Sequence, residues 1–349
     1  NVTSQPNLID STLTININYV QDTGQTIVTD DTIIVPTRLA AKILKDNEAQ
    51  ADTNIDFSKI SSDTNGKGLY YTSTNTEDNK VTYYFRGAVE NNYVTFAGFT
   101  WRIVRINEDG SIRLIKQEVI DNDDDVGIKF NTKYNDNAYV GYMYGTAGAS
   151  TYEETHANTN SSTIKTFIDT WYQNNLMSYS SYLADAGFCG DRSVASAPNV
   201  WSFNDSALGY GTNYTHYGAA NRIDYGTNKP QFKCPQVNDL YTTKTSNKGN
   251  KSLDYPIGLI TADEAAFAGG NYKDANANFF LKIALSSGYW TMTPGRKEND
   301  AYVYGVSSKV NDTGLYSYLH VRPVINLKST IEITTGDGTV DNPYVIKTN

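Results

Sequence analysis

Trp101-Arg-Ile-Val-Arg-Ile106, Asn107-Glu108-Asp109-Gly110 and Ser111-Ile-Arg-Leu-Ile-Lys116 read as one unit. Apolar residues alternate on both sides of a four-residue turn that ends in glycine, the signature of an antiparallel hairpin with one face on a core. Upstream, Gly68–Thr72, Val81–Phe85 and Tyr93–Phe99 are strand-like, and Leu39, Ile43 and Leu44 within Arg38–Lys45 have helical spacing. At the start of the chain, Leu13, Ile15, Ile17 and Tyr19 alternate with Thr and Asn. Gln25–Val28 and Thr32–Val35 follow before Pro36. Residues 1–36 are therefore expected as a small β-rich segment, and residues 37–349 as the main domain.

Downstream, Ile164, Phe167, Ile168, Trp171, Tyr172 and Leu176 form one apolar stripe, which predicts an amphipathic helix over Ser161–Leu176 capped by Ser161 or Ser162. Residues 178–250 show no sustained period and are expected as a long irregular excursion. The strand-like Tyr255–Ile260 meets Thr261-Ala-Asp-Glu264, a capping box, and the short helix that follows should stop at Gly269-Gly270. Gly288–Thr293, Ala301–Val306, His320–Leu327, Ile331–Thr334 and Pro343–Lys347 complete a set of strands. Hairpin, helix, irregular excursion, helix and strands in that order make an α+β fold.

The 349 residues carry 29 Lys and Arg against 38 Asp and Glu, a net charge of −9. This balance lacks the basic stripe that nucleic acid demands. No run of 18 apolar residues spans a membrane. Tyr, at 27 copies, outnumbers Phe and Trp together. A Tyr- and Asn-rich surface suits secreted binding proteins, and the same excess follows from a low-GC coding bias with no function attached. The chain begins at Asn1, which predicts a mature product whose signal or anchor lay upstream. Cys189 and Cys234 are too few for a cysteine zinc site; one disulfide is their simplest use and two buried thiols the alternative. The compartment expected is extracellular, at a cell surface.

The succession WRIVRINEDGSIRLI, YPIGLITADEAAFAGG, SGYWTMTP and VRPVINL resembles bacterial surface proteins of unassigned function with a C-type-lectin-like fold. The strand–Thr-x-x-Glu–helix step is similar to one in formylglycine-generating-enzyme-like and major paralogous domains. The closing GDGTVDNPYVI resembles the tails of secreted proteins of low-GC gut bacteria. The resemblance runs from about Tyr83 to the C-terminus and implies a C-type-lectin-like core. It does not imply formylglycine-generating chemistry, because the close cysteine pair of that activity is missing. It extends to the variable binding proteins of diversity-generating retroelements, where Tyr289, Tyr302, Tyr304, Asn311, Tyr316 and Tyr318 would be the changing positions around Trp290, Arg322 and Pro323.

Catalytic material is thin. His156, His216 and His320 are scattered, and Cys189 serves as a nucleophile beside His216 or His320 only if it is not in a disulfide. Asp121, Asp123 and Asp125 cluster hard oxygen ligands, so a structural calcium is the alternative to a solvated acidic loop. Val126 and Thr132 at the sixth and twelfth positions exclude an EF-hand, and no calcium-lectin motif stands near Trp290. No other cofactor is expected. Arg322, Trp101 and Trp290 read as structural. The expected contact face joins the Ser196–Tyr225 excursion to the Tyr289–Tyr318 strands, with Trp201, Tyr210, Tyr214, Tyr217, Tyr225, Tyr289, Tyr302, Tyr304, Tyr316 and Tyr318 as its aromatics. The function expected is non-enzymatic binding or adhesion, displayed by a bacterium or its phage, with a host or cell-surface glycan or protein as partner. The rival is a filament or pilus subunit that adds the Leu13–Val20 strand to a copy of itself.

Overall fold

The computed structural model describes residues 37–61, 68–121, 126–195, 208–224 and 227–348. The expected N-terminal segment 1–36, with Leu13–Val20, lies outside them. The chain is mixed α and β and strand-rich, 19% helical and 27% strand. Its largest sheet has ten strands. In its first part, β1 (Gln50–Ala51) pairs parallel with β2 (Leu69–Thr72), and β2 pairs antiparallel with β3 (Thr82–Phe85). Then β4 (Tyr93–Phe96) and β3 share one edge of β5 (Phe99–Ile106), while β6 (Ile112–Lys116) takes the other. Val324–Leu327 extends the sheet beyond β6, and Tyr344–Ile346 lies parallel to β4.

The β5–β6 hairpin forms as its sequence predicts. Its turn closes through Asn107 N–H to Ser111 O at 2.8 Å, with Gly110 at φ 80°. Every residue of β6 is buried, including Arg113 and Lys116. A bulge at Val104 explains the arrangement. The register shifts between Ile103 and Arg105, so Trp101, Ile103 and Ile106 share the face of Leu114 and Ile112, and Arg105 falls directly opposite Arg113. The strand read as Tyr93–Phe99 is two elements: Ala97 and Gly98, at φ 54° and 78°, make a two-residue turn between β4 and β5. Alanine rarely adopts that conformation, which hid the turn.

Four α-helices are described. The first, α1 (Leu39–Asp46), buries Leu39 and Ile43, and α2 (Tyr152–Thr155) is a single turn capped by Thr151. The predicted amphipathic helix is α3 (Thr163–Asn175), capped by Ser162, whose hydroxyl accepts the Lys165 N–H at 3.2 Å. Its Trp171 ring packs against Phe99 at 5.3 Å and Trp101 at 6.5 Å. The last helix, α4 (Ala262–Phe267), carries the full capping box: Thr261 Oγ accepts the Glu264 N–H and Glu264 Oε2 accepts the Thr261 N–H, both at 3.0 Å. Gly269, at φ 110°, ends it.

A second sheet of four antiparallel strands runs Thr215–His216, Tyr289–Lys297, Ala301–Val306, Val310–Gly314. Its last strand, rich in Asn and Asp, has poor β composition and was not foreseen. The run read as one strand, His320–Leu327, serves both sheets. His320 bridges to Tyr289, and only Val324–Leu327 joins the ladder with β6, because Pro323 brings no N–H to it. Likewise Tyr255–Ile260 pairs only at Ile257–Gly258, and Gly288–Thr293 becomes a longer strand reaching Lys297. Trp101 and Trp290 are fully buried. Arg322, as expected of a structural arginine, donates to the carbonyls of Lys116 at 2.7 Å and Leu281 at 2.9 Å.

The irregular excursion is stapled. Cys189 and Cys234 form a disulfide with Cα atoms 5.5 Å apart, closing 45 residues. Arg192 and Asp239 tie the same region together as a fully buried ion pair at 2.6 Å.

Glu264 joins the hairpin to α4. Its Oε1 lies 2.6 Å from Arg113 Nε and 3.1 Å from Arg105 Nε. Burial alone raises its carboxyl, but Arg113 and then Arg105 outweigh that and hold it below the ordinary carboxylate value. The folded state thus binds this proton more weakly than the unfolded one. The stability it contributes is present above the unfolded value near pH 4.3 and is lost as pH falls through the folded value. Glu264→Gln should cost about 3 kcal/mol at pH 7 in denaturant unfolding, and the acid limb of its stability curve should be shallower than that of the parent. Separately, the unfolded, unreduced chain should titrate no thiols with Ellman-type reagent. Cys189→Ser with Cys234→Ser should lower stability by roughly 4 kcal/mol.

Candidate ligand-binding surfaces

The second sheet carries an aromatic face. Tyr214 enters its edge strand 39% exposed, and its hydroxyl donates to Asn299 Oδ1 at 3.0 Å. Tyr302 stands opposite the Arg296 guanidinium, which lies 4.4 Å from its ring centre. Burial raises the Tyr302 hydroxyl, with Tyr316 adding to the shift. Tyr316, 46% exposed, meets the edge of Tyr134 at 6.0 Å. Gly314 makes room for it, since a Cβ there would stand 2.4 Å from the Tyr316 ring. Tyr318 is 51% exposed, with the Lys129 ammonium 5.2 Å from its ring centre. Rings held by partners yet open to solvent are pre-ordered contact area.

Other rings expected on this face are not there. Tyr217, Tyr289 and Tyr304 are fully buried, which corrects the expectation that they are exposed contact residues. Each hydroxyl has an interior acceptor: Asn137 Oδ1 at 2.7 Å, Leu281 O at 2.9 Å and Asp224 Oδ2 at 2.6 Å, respectively. The lack of apolar periodicity misleads here because both faces of the Tyr289 and Ala301 strands are covered, so almost every residue of them is buried whatever its type. Tyr210 is half-buried, and its carbonyl accepts from Asn137. Trp201, Tyr225, Asp123 and Asp125 lie outside the described residues. Tyr134 and Lys129 were missed, since they sit in a polar loop with no periodicity to single them out.

A second candidate is a small charged cleft, open to solvent, where the turns after β2 and β5 meet the disulfide and the start of α4. Glu77, Arg105, Glu108, Cys189, Arg222 and Glu264 are among its walls. Arg222 is clamped by Asp263 at 2.8 Å and Asp191 at 2.7 Å. Glu77 Oε2 accepts the Cys234 N–H at 2.8 Å. Burial raises the Glu77 carboxyl, that hydrogen bond lowers it, and the Glu108 carboxylate raises it further. The cleft continues into a shallower hollow that shares Arg222, Gln231 and Lys233. Sequence reasoning missed it because its walls are gathered from segments as far apart as Glu77 and Thr293.

The histidines weighed for chemistry are buried, and the cysteine is oxidised. The disulfide removes Cys189 as a thiol nucleophile. Burial, then the nearby Arg192 charge, pushes His156 down to about 3; burial, then Arg296, pushes His216 down to about 4. His320 Nδ1 lies 2.8 Å from Asp121 Oδ2, while Asp121 Oδ1 accepts the Val321 N–H, so this carboxylate of the expected calcium cluster faces the protein. Among the described residues no group of three His, Cys, Asp or Glu side chains is placed to hold a metal. Compared with family models, curated proteins and solved structures, the chain matches none.

Asp224, beneath Tyr304, is buried with Oδ1 lacking a hydrogen-bond partner among the described residues. Burial pushes its carboxyl up to about 8. The folded state therefore binds this proton more tightly than the unfolded one, and stability falls as pH rises from about 4 towards 8. Asp224→Asn removes the titration and keeps an acceptor for Tyr304. It should raise the melting temperature at pH 7, with the gain vanishing below about pH 4, as read by calorimetry across that range.

Proposed function

We propose that the protein is an extracellular, non-enzymatic binding or adhesion protein, and that it holds a carbohydrate on the tyrosine face of its four-stranded sheet. The observation that carries this reading is the set of solvent-open rings beside that sheet, Tyr214, Tyr316 and Tyr318, with Tyr134 against Tyr316 and the Arg296 guanidinium over Tyr302. Sugar rings present C–H faces that stack on aromatic rings and hydroxyls that take up phenol and amide hydrogen bonds. Asn299, Lys129 and Arg296 supply polar groups beside those rings. The disulfide fits an oxidising compartment. We read the main domain as a C-type-lectin-like core. Support comes from the order of the hairpin, α3, α4, the Trp290 strand and the closing Val324–Leu327 strand, which returns to the hairpin edge.

A glycan array with the intact protein tests the assignment. Retention of a defined glycan should fall by about 2 kcal/mol in affinity for Tyr316→Ala and Tyr318→Ala, with melting temperature unchanged. Absence of any retained glycan, or full binding by both variants, rejects it.

A further inference from the structure

The shallower hollow beside the charged cleft has a volume of about 290 Å³, and its walls carry one sign of charge. Arg222 and Lys233 are its cations, and no carboxylate stands among its described walls. The acids that clamp Arg222, Asp191 and Asp263, line the neighbouring cleft instead. They hold the guanidinium by two of its three nitrogens. Nε donates to Asp263 at 2.8 Å, and Nη2 donates to Asp191 at 2.7 Å and to Asp263 at 2.9 Å. Nη1 donates to none of the described residues, although the side chain is only 13% exposed. Gly218 leaves space beside it, since a Cβ there would stand 3.1 Å from Nη1. The backbone of that wall is fixed: Gly218 N–H donates to Ser193 O at 2.7 Å, and Ala195 N–H to His216 O at 2.8 Å.

The second cation has no counter-charge. Lys233 is exposed and makes no ion pair among the described residues. Its N–H donates to Asn75 O at 2.8 Å, and the disulfide at Cys234 ties down the next residue, so the root of this side chain is set in place. Gln231 and Asn221 add side-chain amide N–H groups that donate to none of the described residues. Val194, Ala195 and Pro235 give the hollow an apolar side for a carbon skeleton. An oriented guanidinium N–H, a free ammonium and two amides are together complementary to a group rich in acceptor oxygens and negative in charge.

We infer that this hollow binds a small organic anion of monosaccharide size, whose carboxylate or phosphate oxygens meet Arg222 Nη1 and the Lys233 ammonium. A neutral hydroxyl accepts hydrogen bonds there but brings no charge to either cation. The site is independent of the tyrosine face.

Calorimetric titration of the full chain at low ionic strength with glucuronate, glucose 6-phosphate and glucose separates the two sources of negative charge. At least one of the anions should bind about tenfold or more tighter than glucose, and the tighter of the two identifies the group. Lys233→Gln changes only an exposed side chain, so it should remain folded while losing most of that preference. In the parent protein the amide resonances of Gly218, Gln231 and Lys233 should shift on titration with the anion. Tyr316→Ala should leave anion binding intact, so failure of the carbohydrate reading and failure of this one are distinguishable. The inference is overturned if neither anion binds saturably, if glucose binds as tightly, if folded Lys233→Gln retains full affinity, or if those three resonances stay in place.

Discussion

Two arginines stand directly opposite each other on the central hairpin, and one buried carboxylate holds them there. Arg105 and Arg113 become cross-strand neighbours because the bulge at Val104 shifts the register. Like charges in that position repel. Glu264 places one oxygen against both guanidinium groups and the other on the backbone of Thr261. The same side chain therefore neutralises the hairpin, caps α4 and fixes the distance between them. The cleft forms at this junction, and its floor is made of this network.

Buried charge recurs elsewhere with the same purpose. Arg192 with Asp239, Arg222 with Asp191 and Asp263, and Arg322 with two main-chain carbonyls each join segments distant in the chain. A region with little apolar periodicity cannot rely on a continuous hydrophobic face, so directional contacts and one disulfide hold it instead. Such pairs contribute modest net stability relative to apolar packing, but losing one partner leaves an uncompensated interior charge. The described parts of the excursion around Cys189, Arg222 and Gln231 then form one wall of the cleft.

The second sheet divides its tyrosines by the acceptors available beneath them. Tyr217, Tyr289 and Tyr304 each reach an interior oxygen and are buried, whereas Tyr214, Tyr316 and Tyr318 remain open to solvent. Tyr289 and Tyr304 lie within strands covered on both faces, whereas the exposed rings sit in the turns and connections just outside the strands. The exposed set and the charged cleft are distinct surfaces, one offering aromatic area and the other charged side chains of both signs.

Local pattern alone determined the hairpin, the Ser162-capped helix and the Thr261–Glu264 capping box, because each rests on contacts within a few residues. It also pointed to Cys189 with Cys234 and to structural roles for Trp101, Trp290 and Arg322. Tertiary structure alone decided which tyrosines are exposed, because burial depends on what packs over both faces of a strand. It alone set the Val104 bulge and the turn at Ala97-Gly98, where register and covering elements override residue preference. The cleft was invisible in the sequence for the same reason: Glu77, Asn107, Arg222 and Glu264 share no local spacing, and only the folded chain brings them to one place.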